Sequence, residues 1–157
     1  MIQRIAQDDP ERAAAMIGQM DEGPGRDEAM AGMAQIWAQW DPRAALSWVA
    51  KQSTSDAIPE LYSGIFQQWA VYDADAAVSQ LNFIMDTDVR NGAIRGMLEG
   101  AYLDPDLTEE LYQRLERAEA RSLAAASVYY RLTEVDPRRA ERYRVEAGIT
   151  DEDPTSR

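Results

Sequence analysis

The residue types that carry most enzyme catalysis are missing from this chain, which contains no histidine and no cysteine. Ser-His-Asp and Cys-His machineries are therefore impossible, and so are zinc sites with imidazole or thiolate ligands. Lys51 is the only lysine. It precedes a predicted loop, and a solvated helix end explains it better than a Schiff-base role. We predict no catalytic residues, no cofactor and no enzymatic activity.

Closely spaced carboxylates are the remaining candidates for acid–base or metal chemistry. The segment Asp86-Thr87-Asp88-Val89-Arg90-Asn91-Gly92 fits a calcium loop poorly, because arginine takes the fifth place and glycine comes one place late. Asp88 is better explained as the N-cap of a following helix, where its carboxylate accepts a backbone N–H. We therefore predict no metal site.

A repeat of about 32 residues organises the chain, a length typical of stacked helical hairpins. Trp37-Ala38-Gln39-Trp40-Asp41-Pro42 returns one period later as Trp69-Ala70-Val71-Tyr72-Asp73-Ala74, and Ile5-Ala6-Gln7-Asp8-Asp9-Pro10 lies one period before it. Asp104-Pro105 and Asp136-Pro137 continue the series after one deleted residue. Because several positions share one period, the chain should consist of similar structural units.

Each repeat predicts two helices, which we call A and B. Asp followed by Pro favours a helix start, so the A helices should begin near Pro10, Pro42, Ala74, Pro105 and Pro137. Polar breaks at 21–25, 53–56 and 86–88 should end the first three A helices. Helix B then runs to the next aspartate. Its recurring glycine (Gly32, Gly64, Gly96) should allow another helix to approach closely.

These elements predict an all-α fold: a right-handed α-solenoid of about 4.5 helix-turn-helix repeats, or about nine helices. The helical-repeat domain should span residues 1–147, with repeats starting near 9, 41, 73, 104 and 136. Residues 148–157 are polar and acidic, and we expect a frayed tail there.

The pattern Trp-Ala-x-x-Asp-Pro-x-Ala-Ala-x-x-Trp, with a Gly-Pro-Gly-Arg-Asp loop between helices, resembles the roughly 32-residue tetratricopeptide-like repeats of bacterial proteins. The resemblance is clearest over residues 2–81. It implies an α-solenoid with a binding role rather than an activity. It also implies an extracytoplasmic domain, cut from a longer protein with an N-terminal membrane anchor. The period is shorter than the roughly 34 residues of true tetratricopeptide repeats, so no ligand-binding residues can be transferred.

The charge of the chain disfavours several classes of partner. The net charge is −12, and residues 1–104 carry 16 acids against 7 bases. Phosphate-rich partners need excess Lys and Arg, so we expect no nucleic-acid binding and no attraction to anionic membranes. No apolar run approaches the length of a membrane span, so we expect no membrane insertion by this segment.

Aromatic and basic residues outside the expected core are the candidates for binding a partner. Trp40, Tyr72 and Tyr102 lie near helix junctions, Tyr129 and Tyr130 form an aromatic pair, and Arg139 and Arg142 share a face of the last helix. Solubility of the terminal repeat would also explain those arginines.

The predicted function is a protein–protein interaction scaffold that binds a peptide or partner helix in the solenoid groove. The alternative is an acidic mimic that inhibits a basic nucleic-acid-binding partner, because such a mimic would exploit the negative N-terminal part. Self-association through the ends of the stack is left open.

Overall fold

A computed structural model describes residues 2–52 and 57–150, and all the regular secondary structure in these ranges is helical. In this part of the chain there are ten α-helices, one more than expected, and a short 3-10 helix over Glu141–Tyr143. The helices are α1 (Ile2–Asp8), α2 (Pro10–Ile17), α3 (Pro24–Ala38), α4 (Pro42–Ala50), α5 (Ile58–Tyr72), α6 (Ala74–Leu81), α7 (Thr87–Gly100), α8 (Pro105–Gln113), α9 (Ala118–Val135) and α10 (Pro137–Ala140).

The predicted starts of the five A helices are confirmed. These are the even-numbered helices, and an aspartate caps each one through its side chain. Asp41 Oδ1, for example, accepts the backbone N–H of Ala44 at 2.9 Å. Asp73 Oδ1 accepts that of Ala76 at 3.0 Å. Each cap satisfies a free N–H group at the helix start. Because the capping aspartates recur at the repeat period, the A helices start at the same interval.

The helices form two layers, which confirms the all-α helical-repeat fold. The odd-numbered B helices pack one against the next in chain order, and each of α2, α4, α6 and α8 packs on the B helices before and after it. The right-handed sense of the stack stays a prediction. The core lies between the layers, where Trp48, Phe66 and Trp69 are buried.

The contact between α5 and α7 brings two helix backbones together. Gly92, Gly96 and Gly100 on α7 lie against Pro59, Ser63 and Gln67 on α5. A Cβ atom built on Gly96 would lie 2.0 Å from the carbonyl oxygen of Ser63. Only glycine permits this approach, so the predicted role of the glycine position is confirmed at Gly96.

Gly64, the repeat equivalent of Gly96, has a looser environment. A Cβ atom there would lie 3.1 Å from Cγ of Gln35 on α3, which belongs to a flexible side chain. Two equivalent glycines therefore serve two different contacts.

Some predicted boundaries differ from the structure. The N-cap of α7 is Asp86, which accepts the N–H of Val89, so the prediction for Asp88 is wrong. Asp88 lies in the first turn and forms an ion pair with Arg117. Ile149, which belongs to the expected tail 148–157, is buried. The expected break at 53–56 and the tail residues 151–157 lie outside the described residues.

Candidate interaction surface

A groove separates two neighbouring A helices, α4 and α6. It has a volume of about 600 Å³, and the start of α5, the α6–α7 linker and the start of α7 contribute the rest of its lining. Most of the lining is apolar and comes from Leu46, Ala50, Ile58, Tyr62, Phe83, Ile84, Met85 and Val89. Tyr62 is half-buried there, and burial raises the pKa of its hydroxyl, so it stays neutral at physiological pH.

Large apolar side chains are exposed at both ends of the helices that form this groove. Phe83 and Met85, in the linker from α6 to α7, are 76% and 86% exposed. Trp40 directly precedes the cap of α4, and Tyr72 directly precedes the cap of α6; they are 78% and 72% exposed. Phe83 and Met85 line the groove, whereas Trp40 and Tyr72 precede the starts of α4 and α6 and lie outside its lining.

Charged groups lie at both ends of the groove. Arg43 lines it near the start of α4, with its guanidinium carbon 5.9 Å from the centre of the Trp69 ring. Asp86 lines it near the start of α7. The exposed capping residues Asp41 and Asp73 stand beside Trp40 and Tyr72. The starts of α4 and α6 therefore each carry an exposed carboxylate next to an exposed aromatic residue.

Tyr102 is the most exposed of the predicted contact residues, at 91%, but it is not equivalent to Trp40 and Tyr72. The residue before the next cap is Leu103, which is buried. The guanidinium of Arg131 lies 5.5 Å from the centre of the Tyr102 ring. Burial lowers the pKa of Arg131, and its Nη1 is buried without a hydrogen-bond partner. The Tyr102 ring thus contacts an arginine of the same chain.

The other predicted residues lie near the C-terminal end. The rings of Tyr129 and Tyr130 meet edge to face with centroids 5.4 Å apart. Tyr129 packs partly into the core, and Tyr130 is more exposed. The aromatic pair is therefore only partly available to a partner.

Arg139 is engaged within the chain. It donates to Glu109 and pairs with Asp106 at 2.8 Å. The hydrogen bond from Arg139 and a second from the Tyr143 hydroxyl hold the pKa of Glu109 below its usual value. Arg142 reaches Glu109 only at 4.0 Å and is largely exposed, so of the two predicted arginines it is the one open to solvent.

Sequence reasoning missed Phe83 and Met85. Their position between two helices could have identified them. Large apolar residues in a linker do not belong to the apolar face of either helix, so the periodic pattern does not place them in the core. Exposed apolar residues grouped in this way are uncommon on soluble proteins and mark interaction sites.

The described residues contain no group of three or more acidic side chains placed to hold a metal ion. No helix among them is long and apolar enough to cross a membrane. Comparisons with protein-family models, curated proteins and solved structures find no match to this chain.

Proposed function

We propose that the chain is a non-enzymatic interaction scaffold that binds a peptide or partner helix in the groove between α4 and α6. The observation that carries this proposal is the apolar groove, which the exposed side chains of Phe83 and Met85 help to line. Leaving these side chains in water is unfavourable, and a partner that covered them would gain the free energy of apolar burial.

The dimensions of the groove support a polypeptide as the ligand. Its wall α4 has nine residues, a length of roughly 13 Å at 1.5 Å per residue. A volume of about 600 Å³ would also suit a small molecule. Phe83 and Met85 line the groove yet are 76% and 86% exposed, and two or three turns of an amphipathic helix would cover more of their surface than a small molecule would.

The repeat architecture supports the same proposal, because stacked hairpins present extended surfaces that suit peptides and helices. We also propose kinship with the bacterial tetratricopeptide-like repeats, on the strength of the recurring Trp-Ala-x-x-Asp-Pro pattern. The extracytoplasmic location is proposed on the same resemblance.

Selection from a display library of 16-residue peptides tests the groove. Wild-type protein is compared with the double variant Phe83→Ser/Met85→Ser and with a matched control, Val145→Ser, which alters an exposed apolar residue at the C-terminal end. We expect selected peptides to carry apolar residues at helical spacing. The groove variant should weaken their binding more than tenfold, because each lost apolar anchor contributes about 1.5 kcal/mol or more.

Two outcomes would contradict the proposal. Peptides that bind the groove variant as tightly as wild type do not use this surface. Binding that disappears at about 0.5 M salt, where charges are screened within a few ångströms, would favour the acidic mimic instead.

A further inference from the structure

We propose that the segment bound in the groove carries an aspartate or glutamate side chain that pairs with Arg43. The partner is an amphipathic helix of another protein, with this carboxylate near one end of its apolar stripe. This inference rests on the proposed function, because it names a charged group of the segment that the groove receives.

One face of α4 forms a wall of the groove, and Arg43 lies at the start of that face. Arg43, Leu46, Ser47 and Ala50 all line the groove. They follow one another at i, i+3, i+4 and i+7, the spacing of one helix face. The wall therefore passes from a guanidinium to a small apolar side chain over about two helical turns. A helix lying along it meets a positive charge toward one end.

Arg43 is positioned by an aromatic ring and forms no ion pair. Its guanidinium carbon lies 5.9 Å from the centre of the Trp69 ring, within the range of cation–π attraction. Trp69 is buried, whereas Arg43 is exposed. Across residues 2–52 and 57–150, no acidic side chain forms an ion pair with Arg43. A guanidinium has five N–H donors in a planar fork, so a carboxylate of the partner can accept two of them.

Arg43 also departs from the charge pattern of the repeat. The second residue of α2, α6 and α8 is acidic, as Glu11, Asp75 and Asp106 respectively. Acids are favoured in the first turn of a helix by its dipole, and bases are disfavoured there. Helix α4 has Arg43 at this position and no acid in its first turn. A carboxylate of the partner beside Arg43 would therefore be stabilised by the guanidinium and by the start of α4.

The charges of the groove lining favour this occupant over a basic segment. Among the described residues that line the groove, Arg43 is the base and Asp86 is the acid. Asp86 already accepts the N–H of Val89 at 2.9 Å as the cap of α7. A wholly basic segment would be repelled by Arg43 and leave it unpaired.

The charge of the whole chain limits the occupant further. The net charge is −12, so a generally acidic segment would be repelled, whereas a single carboxylate placed at Arg43 is favoured locally. A second copy of this chain carries the same net charge and is disfavoured for that reason. The partner should therefore be neutral or basic apart from this carboxylate.

A double-mutant cycle tests the pairing. Arg43→Gln removes the charge from the groove, and Arg138→Gln removes the same charge from the same repeat position, the second residue of α10, outside the groove lining. Both arginines are exposed, so both variants should keep the fold, which circular dichroism checks. Peptides selected on wild type are resynthesised with amidated C-termini, and each Asp or Glu is replaced in turn by Asn or Gln. Dissociation constants are measured for every combination of protein and peptide.

We expect the selected peptides to share an acidic residue near one end of their apolar stripe. Its replacement by the amide should weaken binding to wild type about fivefold, as expected for one hydrogen-bonded ion pair at a partly exposed site. In Arg43→Gln the same replacement should have less than a twofold effect. In Arg138→Gln it should again weaken binding about fivefold.

Three results would overturn the inference. The first is a set of peptides that need Phe83 and Met85 but no acidic residue, which would leave the proposed function standing. The second is an equal effect of the amide replacement in wild type and in Arg43→Gln, which would show that the carboxylate binds elsewhere. The third is self-association in sedimentation that Arg43→Gln abolishes, which would make a second copy the occupant. Peptides whose binding ignores Phe83 and Met85 would instead refute the proposed function.

Discussion

Replacing Gly96 by alanine should destabilise the fold, because the added methyl group meets a backbone atom. The new Cβ would lie 2.0 Å from the Ser63 carbonyl oxygen and 2.7 Å from its carbonyl carbon. The shortest comfortable carbon–oxygen contacts are about 3.3 Å. Helix α7 would therefore have to move away from α5 by roughly 1 Å or more, and neither backbone can rotate aside as a side chain can.

The size of the effect follows from two opposing contributions. Overpacking a tight interface costs about 1–3 kcal/mol, and a clash between backbones belongs at the upper end of that range. Alanine gains about 1 kcal/mol over glycine in a helix interior. The net loss should be about 2 kcal/mol, which lowers the midpoint of thermal unfolding by about 4–8 °C in a domain of this size.

Gly64→Ala is the matched control, since Gly64 occupies the same repeat position on α5. Its Cβ would meet the side chain of Gln35 at 3.1 Å, and that side chain can move aside. Helix propensity should then dominate, so this variant should be neutral or more stable by up to about 1 kcal/mol. Urea and thermal unfolding followed by far-UV circular dichroism measure both. Equal losses in the two variants would refute the argument from close backbone contact.

Two further changes probe the caps and the C-terminal ion pairs. Asp73→Ala should lose about 1 kcal/mol of folding free energy, because Ala76 N–H loses its acceptor, whereas Asp73→Asn should change it little; equal losses in urea unfolding would contradict the capping role. Glu109→Gln should lose about 1 kcal/mol at pH 7 by weakening the bonds from Arg139 and Tyr143. The pKa of Glu109 is lower in the folded protein than its unfolded value of 4.5, so the ionised side chain stabilises the fold at pH values above 4.5. This contribution disappears as the pH falls through the lowered pKa of the folded state. The stability of wild type should therefore converge on that of Glu109→Gln in thermal unfolding below pH 4.5, and a constant difference would contradict this.

Local signals made the repeat and its helix starts predictable. An aspartate cap acts on backbone groups two or three residues away, so Asp41 and Asp73 could be assigned without any tertiary contact. Gly96 was predictable as a place of close approach because it recurs at the repeat period. The sequence does not reveal that its neighbour is a carbonyl oxygen while the neighbour of Gly64 is a side chain.

The candidate site was less predictable because it depends on contacts between distant residues. The groove exists because α4 and α6 both pack on α5 and leave space between them. Arg139 looked free on its own helix, but its partner Glu109 lies far back in the chain, on α8. Spacing within a single helix cannot anticipate either arrangement.

The glycine contacts also show that the B helices do not all pack with the same offset along their neighbours. Gln35 on α3 and Gln67 on α5 are repeat equivalents, and each lies against a glycine of the next B helix. Gln35 meets Gly64, but Gln67 meets Gly100 instead of Gly96, the equivalent of Gly64. Helix α7 is therefore set back along α5 by about 6 Å, one helical turn, compared with α5 on α3.

The linker after α7 is short and turned. Ala101, Tyr102 and Leu103 are non-helical, and the N–H of Leu103 donates to the carbonyl oxygen of Ala101 at 3.1 Å, so the chain turns at Tyr102 before α8 begins. No single screw operation generates this stack, so duplicating one repeat would not reproduce the α5–α7 contact.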